Sequence, residues 1–198
     1  MGVADGLEDR VFERAERLLF DHGCRATTMD ALAADLGVSK KTLYTVVPSK
    51  EQLIERMILR FIEATTRQLD QTLDEPSLDF PTRKDRFFGI VFQRLGRLHP
   101  RIFADLQRSY PQLSQRVDAI RAEFLPSRVR RLLEAGITAK QIRPDADPMF
   151  FSAVFLASVQ ALMRGETLDR LQLHPAEAAR RLARLLFDGV AAAETPKI

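Results

Sequence analysis

The sequence has a single cysteine, Cys24, in 198 residues. That count excludes a disulfide within the chain and any zinc site built from several thiolates, and it makes a reducing, cytoplasmic setting the expected one. Long hydrophobic runs are also absent. The longest uncharged apolar stretch, Pro148 to Met163, is interrupted by Ser152, Ser158 and Gln160. It falls short of the about 20 apolar residues that a spanning helix needs. Met1 to Gly6 carry neither a basic region nor an apolar run, so no signal peptide is expected there, and no membrane partner. No phosphate-binding glycine loop, nucleophile elbow or metal-ligating cluster occurs, and the three histidines, His22, His99 and His174, are scattered. No catalytic residue, metal or cofactor is therefore expected. Excess charge of one sign is small, at +3, which permits nucleic-acid binding without demonstrating it.

What the sequence does hold is an ordinary soluble composition, 45% hydrophobic and 29% charged. A chain of this length buries about 70% of its unfolded surface, enough for a real core. The apolar pattern is helical nearly throughout. Leu7, Val11, Ala15, Leu18, Leu19 and His22 recur at helical spacing, with Glu8, Asp9, Glu13 and Glu16 on the other side. Gly23 is placed to end this helix. Thr27 or Thr28 can cap a second helix from about Met29 to Leu36, which Gly37 closes. Ser39 can cap a third, from about Lys40 to Val47, stopped by Pro48. Ser49, with Gln52 three residues on, opens a fourth that runs past Leu69. Later helices are expected at about 82–98, 101–109 and 112–135, the last either kinked or restarted near Pro126. Two more are expected from Pro148 to about Arg164 and from Pro175 to about Val190. The fold class is all-α, with about nine helices.

One stretch carries the functional argument. Between Met29 and Pro48, Leu32, Leu36, Val38, Leu43 and Val46 are apolar, Ala33 is small, and Gly37 stands between two short helices. This is the logic of a helix-turn-helix: a small residue where the helices cross, a glycine for positive φ at the turn, and apolar positions that lock the second helix. Residues 1–50 hold seven basic and eight acidic side chains, yet from Gly37 to Lys50 there are three lysines and no acid. The third helix leaves Lys41, Thr42 and Thr45 outward, with Tyr44 on its flank and Lys40 at its start. Lysine suits phosphate or guanine, threonine the thymine methyl, and tyrosine a phosphate. Lys50 begins the next helix, where free backbone N–H groups also favour phosphate. Adding the caps Thr27, Thr28 and Ser39 completes the candidate DNA-binding set.

The run from Thr27 to Tyr44, TTMDALAADLGVSKKTLY, followed by Pro48-Ser49-Lys50-Glu51-Gln52-Leu53, resembles the DNA-binding domain of the TetR family of bacterial repressors over roughly residues 7–55. Val46 and Val47 stand where that family favours aromatic or histidine side chains, although Val47 can still pack inward. The resemblance implies a homodimer on double-stranded DNA, with one three-helix reading head per chain and a divergent C-terminal helical domain that receives a small-molecule effector. The boundaries expected are residues 1–50 for the DNA-binding domain and 51–198 for the ligand-binding and dimerisation domain.

In that second domain, eleven of the thirteen phenylalanines lie beyond residue 60. Each taken singly reads as core. Together they read as the lining for an apolar or aromatic effector, with Phe61, Phe88, Phe92, Phe103, Phe124 and Phe155 as candidates. Dimerisation is expected on the last two helices, through Phe151, Ala157, Ala161, Leu182 and Leu186, because one helix is apolar on more than one face and the other carries an apolar stripe. The competing readings are an all-helical enzyme or lipid carrier, which would converge catalytic groups on a pocket, and an architectural DNA binder, which would not need the aromatic-rich domain.

Overall fold

The computed structural model describes residues 3–191. Among the described residues ten helices follow one another: α1 (Val3–Ala26), α2 (Met29–Leu36), α3 (Lys40–Val46), α4 (Lys50–Asp74), α5 (Phe80–Gly96), α6 (Ile102–Ser109), α7 (Pro111–Thr138), α8 (Pro148–Leu162), α9 (Gly165–Leu171) and α10 (Pro175–Val190). No strand forms among the described residues, and the one extended pairing there is an isolated bridge between Ile142 and Ala191.

The count exceeds the expected nine by α9, a seven-residue helix with no side-chain cap bond at its start. With Glu166, Asp169 and Arg170 among so few positions, it has no apolar stripe to announce it. Its anchors are the buried Gly165 and Leu168. The open question at Pro126 is resolved as well, because α7 continues through it. A proline inside a helix costs roughly 3 kcal/mol. Val129, Leu132 and Leu133, all buried just beyond it, each return about 1.5–3 kcal/mol on burial, so the helix persists.

The chain forms two compact units. The first comprises Met1–Ala64 and Arg97–Gln115, and the second Thr65–Gly96 and Arg116–Ile198. In the first unit α1 packs against α2, α3 and α6. Val11, Ala15, Leu19, Leu32, Leu43, Val47, Leu53 and Ile54 are buried there, which bears out the inward packing expected of Val47. In the second unit α10 packs against α5 and α8. Its core joins Leu69, Leu73, Phe80, Phe87, Phe88, Val129, Leu132, Leu133, Phe151, Phe155, Leu182 and Phe187.

Candidate functional site

The reading head is built by short local rules. Gly23 interrupts α1 with φ 78° and ψ 176°, a backbone region open essentially to glycine alone. The break lets the chain turn from α1 into α2. There, of the two possible caps, Thr28 is the one used: its hydroxyl accepts from the Ala31 N–H at 3.1 Å. Gly37, at φ 66°, closes α2 in the left-handed region. Ser39 caps α3, accepting from the Thr42 N–H at 3.0 Å, and Ser49 accepts from the Gln52 N–H at 3.1 Å at the start of α4. Arg14 of α1 pairs with Asp35 of α2, which ties the first helix to the hairpin.

On this scaffold α3 turns Leu43 inward, fully buried, and leaves Lys40, Lys41, Tyr44 and Thr45 exposed, Tyr44 by 45%. Lys41 is exposed and meets no acid among the described residues. Lys40 reaches back to Asp30 at 2.5 Å, and that bond and charge hold its ammonium above the ordinary lysine range. The pair is solvated and weak, so a phosphate can replace it. Thr42 is half-buried, and its hydroxyl is hydrogen-bonded to that of Ser39 at 2.8 Å. Thr45 donates its hydroxyl to Thr42 O at 2.6 Å, leaving its methyl group and an acceptor oxygen for a base. The arrangement can place one free ammonium, one phenol and one methyl-bearing side chain against a groove.

Two of the expected DNA contacts lie elsewhere. Thr27 is buried, with its hydroxyl donating to Gly23 O at 3.0 Å. It secures the turn between α1 and α2 and presents no surface, because the adjacent threonine took the exposed cap position. Lys50 is partly buried, its Nζ donating to Arg25 O at 3.3 Å. Burial holds its pKa below the ordinary lysine value, partly offset by Cys24 and Asp105.

The phenylalanines divide between the units. Phe61 and Phe103 belong to the first, where Phe61 meets Phe20 edge-on at 5.5 Å. In the second unit Phe88 gathers Phe87, Phe92, Phe155 and Phe187 within 5.0–6.4 Å, and Phe151 joins through Phe155 and Phe187. These rings pack on one another. Phe92, only partly buried, lies under the Arg180 guanidinium at 5.1 Å. Phe124 is covered by Arg128 at 5.5 Å. Arg128 also donates to Asp70 at 2.6 Å, while burial pushes the Arg121 guanidinium below its ordinary pKa despite its bond to Asp118 at 2.6 Å.

The five residues expected at the dimer contact divide by burial. Phe151 and Leu182 are 7% and 6% exposed and belong to the core. Phe150, next to Phe151, and Leu185, three residues beyond Leu182, stand 69% and 73% exposed, joined by Met149. On α8, Ala153, Ala157 and Ala161 continue the exposed face at helical spacing, and on α10 Leu186 is half-buried. Because α8 is apolar on more than one side, spacing alone did not say which side the core takes. Fractional burial does.

Among the described residues no group of three or more His, Cys, Asp or Glu side chains could hold a metal ion. No single helix there is long and apolar enough to cross a membrane.

Comparison with known proteins agrees with this geometry. Residues 11–57 match the family model for bacterial regulatory proteins of the tetR family. The chain is 28% identical over 178 residues to the uncharacterized HTH-type transcriptional regulator YhgD of Bacillus subtilis, covering 89% of this chain and 90% of that one. It is 24% identical over 148 residues to the HTH-type transcriptional repressor KstR2 of Mycolicibacterium smegmatis, covering 70% and 69% respectively. Its fold is similar to that of SmeT, the repressor of the Stenotrophomonas maltophilia multidrug efflux pump SmeDEF. That match has a TM-score of 0.65 at 17% identity, over 96% of this chain and 94% of that one.

Proposed function

Because the chain belongs to the TetR family of transcriptional regulators, and is a DNA-binding regulator rather than an enzyme, we propose that it is a cytoplasmic repressor. It binds a palindromic operator as a homodimer and leaves it when a small apolar or aromatic effector binds. The observation that carries the reading is α3 itself, locked by buried Leu43 on one side and offering Lys41, Tyr44 and Thr45 on the other. Residues 1–50 supply the contacts to DNA, and residues 51–198 the effector seat and the dimer contact. Repression is supported by the names of KstR2 and SmeT.

The dimer contact is supported by the exposed Met149, Phe150 and Leu185 beside the alanine face of α8. Two helices from each chain suit an isologous four-helix packing. The aromatic effector is supported by the concentration of phenylalanine rings in the second unit, where Phe92 and Phe124 are the less buried members. Only an effector that prefers one dimer geometry changes DNA affinity. α4 is the natural moving part because it runs unbroken from Lys50 to Asp74. A tilt there alters the separation of two recognition helices that must match groove repeats about 34–36 Å apart.

The experiment is selection of genomic fragments by the purified protein, followed by sedimentation of the complex on the enriched fragment. The expected result is a two-fold symmetric site occupied by two chains. Enrichment of no sequence over a random pool, or one chain per site, overturns the reading.

A further inference from the structure

α7 buries two guanidinium groups on one face. Arg121 and Arg128 stand two turns apart, and each side chain is only 15% exposed. Arginine is seldom buried so far without a strong partner, and these two are partnered differently. Arg128 reaches Asp70 of α4 at 2.6 Å and donates to Phe124 O at 2.9 Å, so it ties α7 to a neighbour. Arg121 meets Asp118, three residues back on its own helix, at 2.6 Å. That pair joins α7 to nothing but itself, and Asp118 is 45% exposed. A buried cation is thus matched by a carboxylate that water already holds in part. Phe124 and Leu125 lie between the two arginines on the same face, each half-buried. Arg128 Nε is buried with no acceptor among the described residues, so this strip holds more donor capacity than the chain fills. The same is true of Nε in Arg83 and Arg130, but neither lies on the strip. Arg83 closes the loop before α5 through Glu75 O and Leu78 O, and Arg130 is 43% exposed beside Glu134.

We propose that Arg121 anchors a carboxylate on the effector, and that Asp118 holds the guanidinium until that carboxylate displaces it. Asp118 gives up little in the exchange, because its half-exposed side chain regains full hydration. The incoming carboxylate presents two oxygens to the guanidinium fork, in surroundings poor in water where a charge-assisted hydrogen bond is strong. Its apolar body takes the strip of Phe124 and Leu125, the latter packed against the core of the second unit. Arg128, already neutralised by Asp70, is not the anchor. A neutral or cationic compound of the same shape leaves Asp118 in place and gains nothing from Arg121, so the site selects acids. The proposal rests on the effector reading above and gives that effector a chemical class, an apolar or aromatic monocarboxylate.

The test is titration calorimetry on the full-length chain at constant pH and ionic strength. The probes are octanoate and phenylbutyrate, with octanol and phenylbutanol as their uncharged matches, against wild type, Arg121→Met and Asp118→Asn. Each acid is expected to bind wild type about tenfold more tightly than its alcohol, the scale of one hydrogen bond to a charged group. Arg121→Met keeps an unbranched apolar stem, and is expected to erase that preference while the alcohols still bind. Asp118→Asn removes the competitor, and is expected to tighten both acids and leave both alcohols unchanged. It reads the same guanidinium without touching it, so the test stands even where Arg121→Met fails to fold. A pair kept for structure alone would lower the thermal midpoints of both variants and leave the acid-to-alcohol ratio as it was. Acids no tighter than alcohols, a preference that survives Arg121→Met, or acids not tightened by Asp118→Asn overturn the proposal while leaving the effector reading in place. Failure of all four probes to bind wild type contradicts the effector reading, and this proposal falls with it.

Discussion

Cys24 shows what burial does to a single side chain, and it sets the first expectation. The thiol is fully buried, and that burial, reinforced by Asp105 and only partly offset by Lys50, pushes it up to about 12. A thiol is neutral when protonated, so the folded state keeps its proton to higher pH than the unfolded chain does. The stability this contributes is complete below the unfolded value near 8.5 and falls away as pH rises towards about 12. Denaturant midpoints should therefore decline above pH 9 in the wild type and decline less in Cys24→Ala. Alkylation of the native protein at pH 8 should proceed only as fast as it opens. Rapid labelling of the folded chain would show the thiol to be accessible. Much at this scale was legible beforehand: Gly23 and Gly37 announced their turns, and Ser39 and Ser49 their caps. Thr27 and Lys50 were not, because a cap residue and a buried anchor share the same chemistry. Which of two adjacent threonines turns inward is decided by Gly23 O, an acceptor that no sequence pattern displays.

Elements were legible where periodicity and caps agree. Expected and observed bounds coincide closely for α2, α3, α8 and α10. α9 escaped because seven residues with three charges carry no stripe, and its existence rests on the packing of Leu168. The sharper lesson lies in α8 and α10, where the sequence offered the right helices but did not say that Phe151 and Leu182 are buried within the chain. Apolar neighbours such as Phe150 and Phe151 point about 100° apart, so on α8 a one-residue choice separates core from surface. This difference is measurable. Phe150→Glu or Leu185→Glu should leave the monomer folded while weakening self-association by at least tenfold in sedimentation. Leu182→Ala should cost about 2–5 kcal/mol of stability, as large-to-small core changes do. Unfolding by the first two, or tolerance of the third, would reverse the assignment of faces.

For the whole molecule, the division of labour follows from where each unit spends its residues. The first unit commits α1, α2, the start of α4 and α6 to holding a seven-residue helix that alone could not persist in water. The second commits its aromatic residues to a core whose outer helices expose apolar side chains. The operator and the effector were not legible, because base preference depends on where a few flexible side chains land on DNA and an effector on the shape of a seat. The central claim is that the outward face of α3 reads DNA. Titration of the selected operator and of a random duplex, with wild type and the Lys41→Ala/Tyr44→Ala variant, tests it most directly. The variant should keep the wild-type unfolding midpoint, since both side chains are exposed, and lose roughly 1–3 kcal/mol of preference for the operator for each good base contact removed. A folded variant that binds the operator with wild-type affinity and preference would contradict the claim.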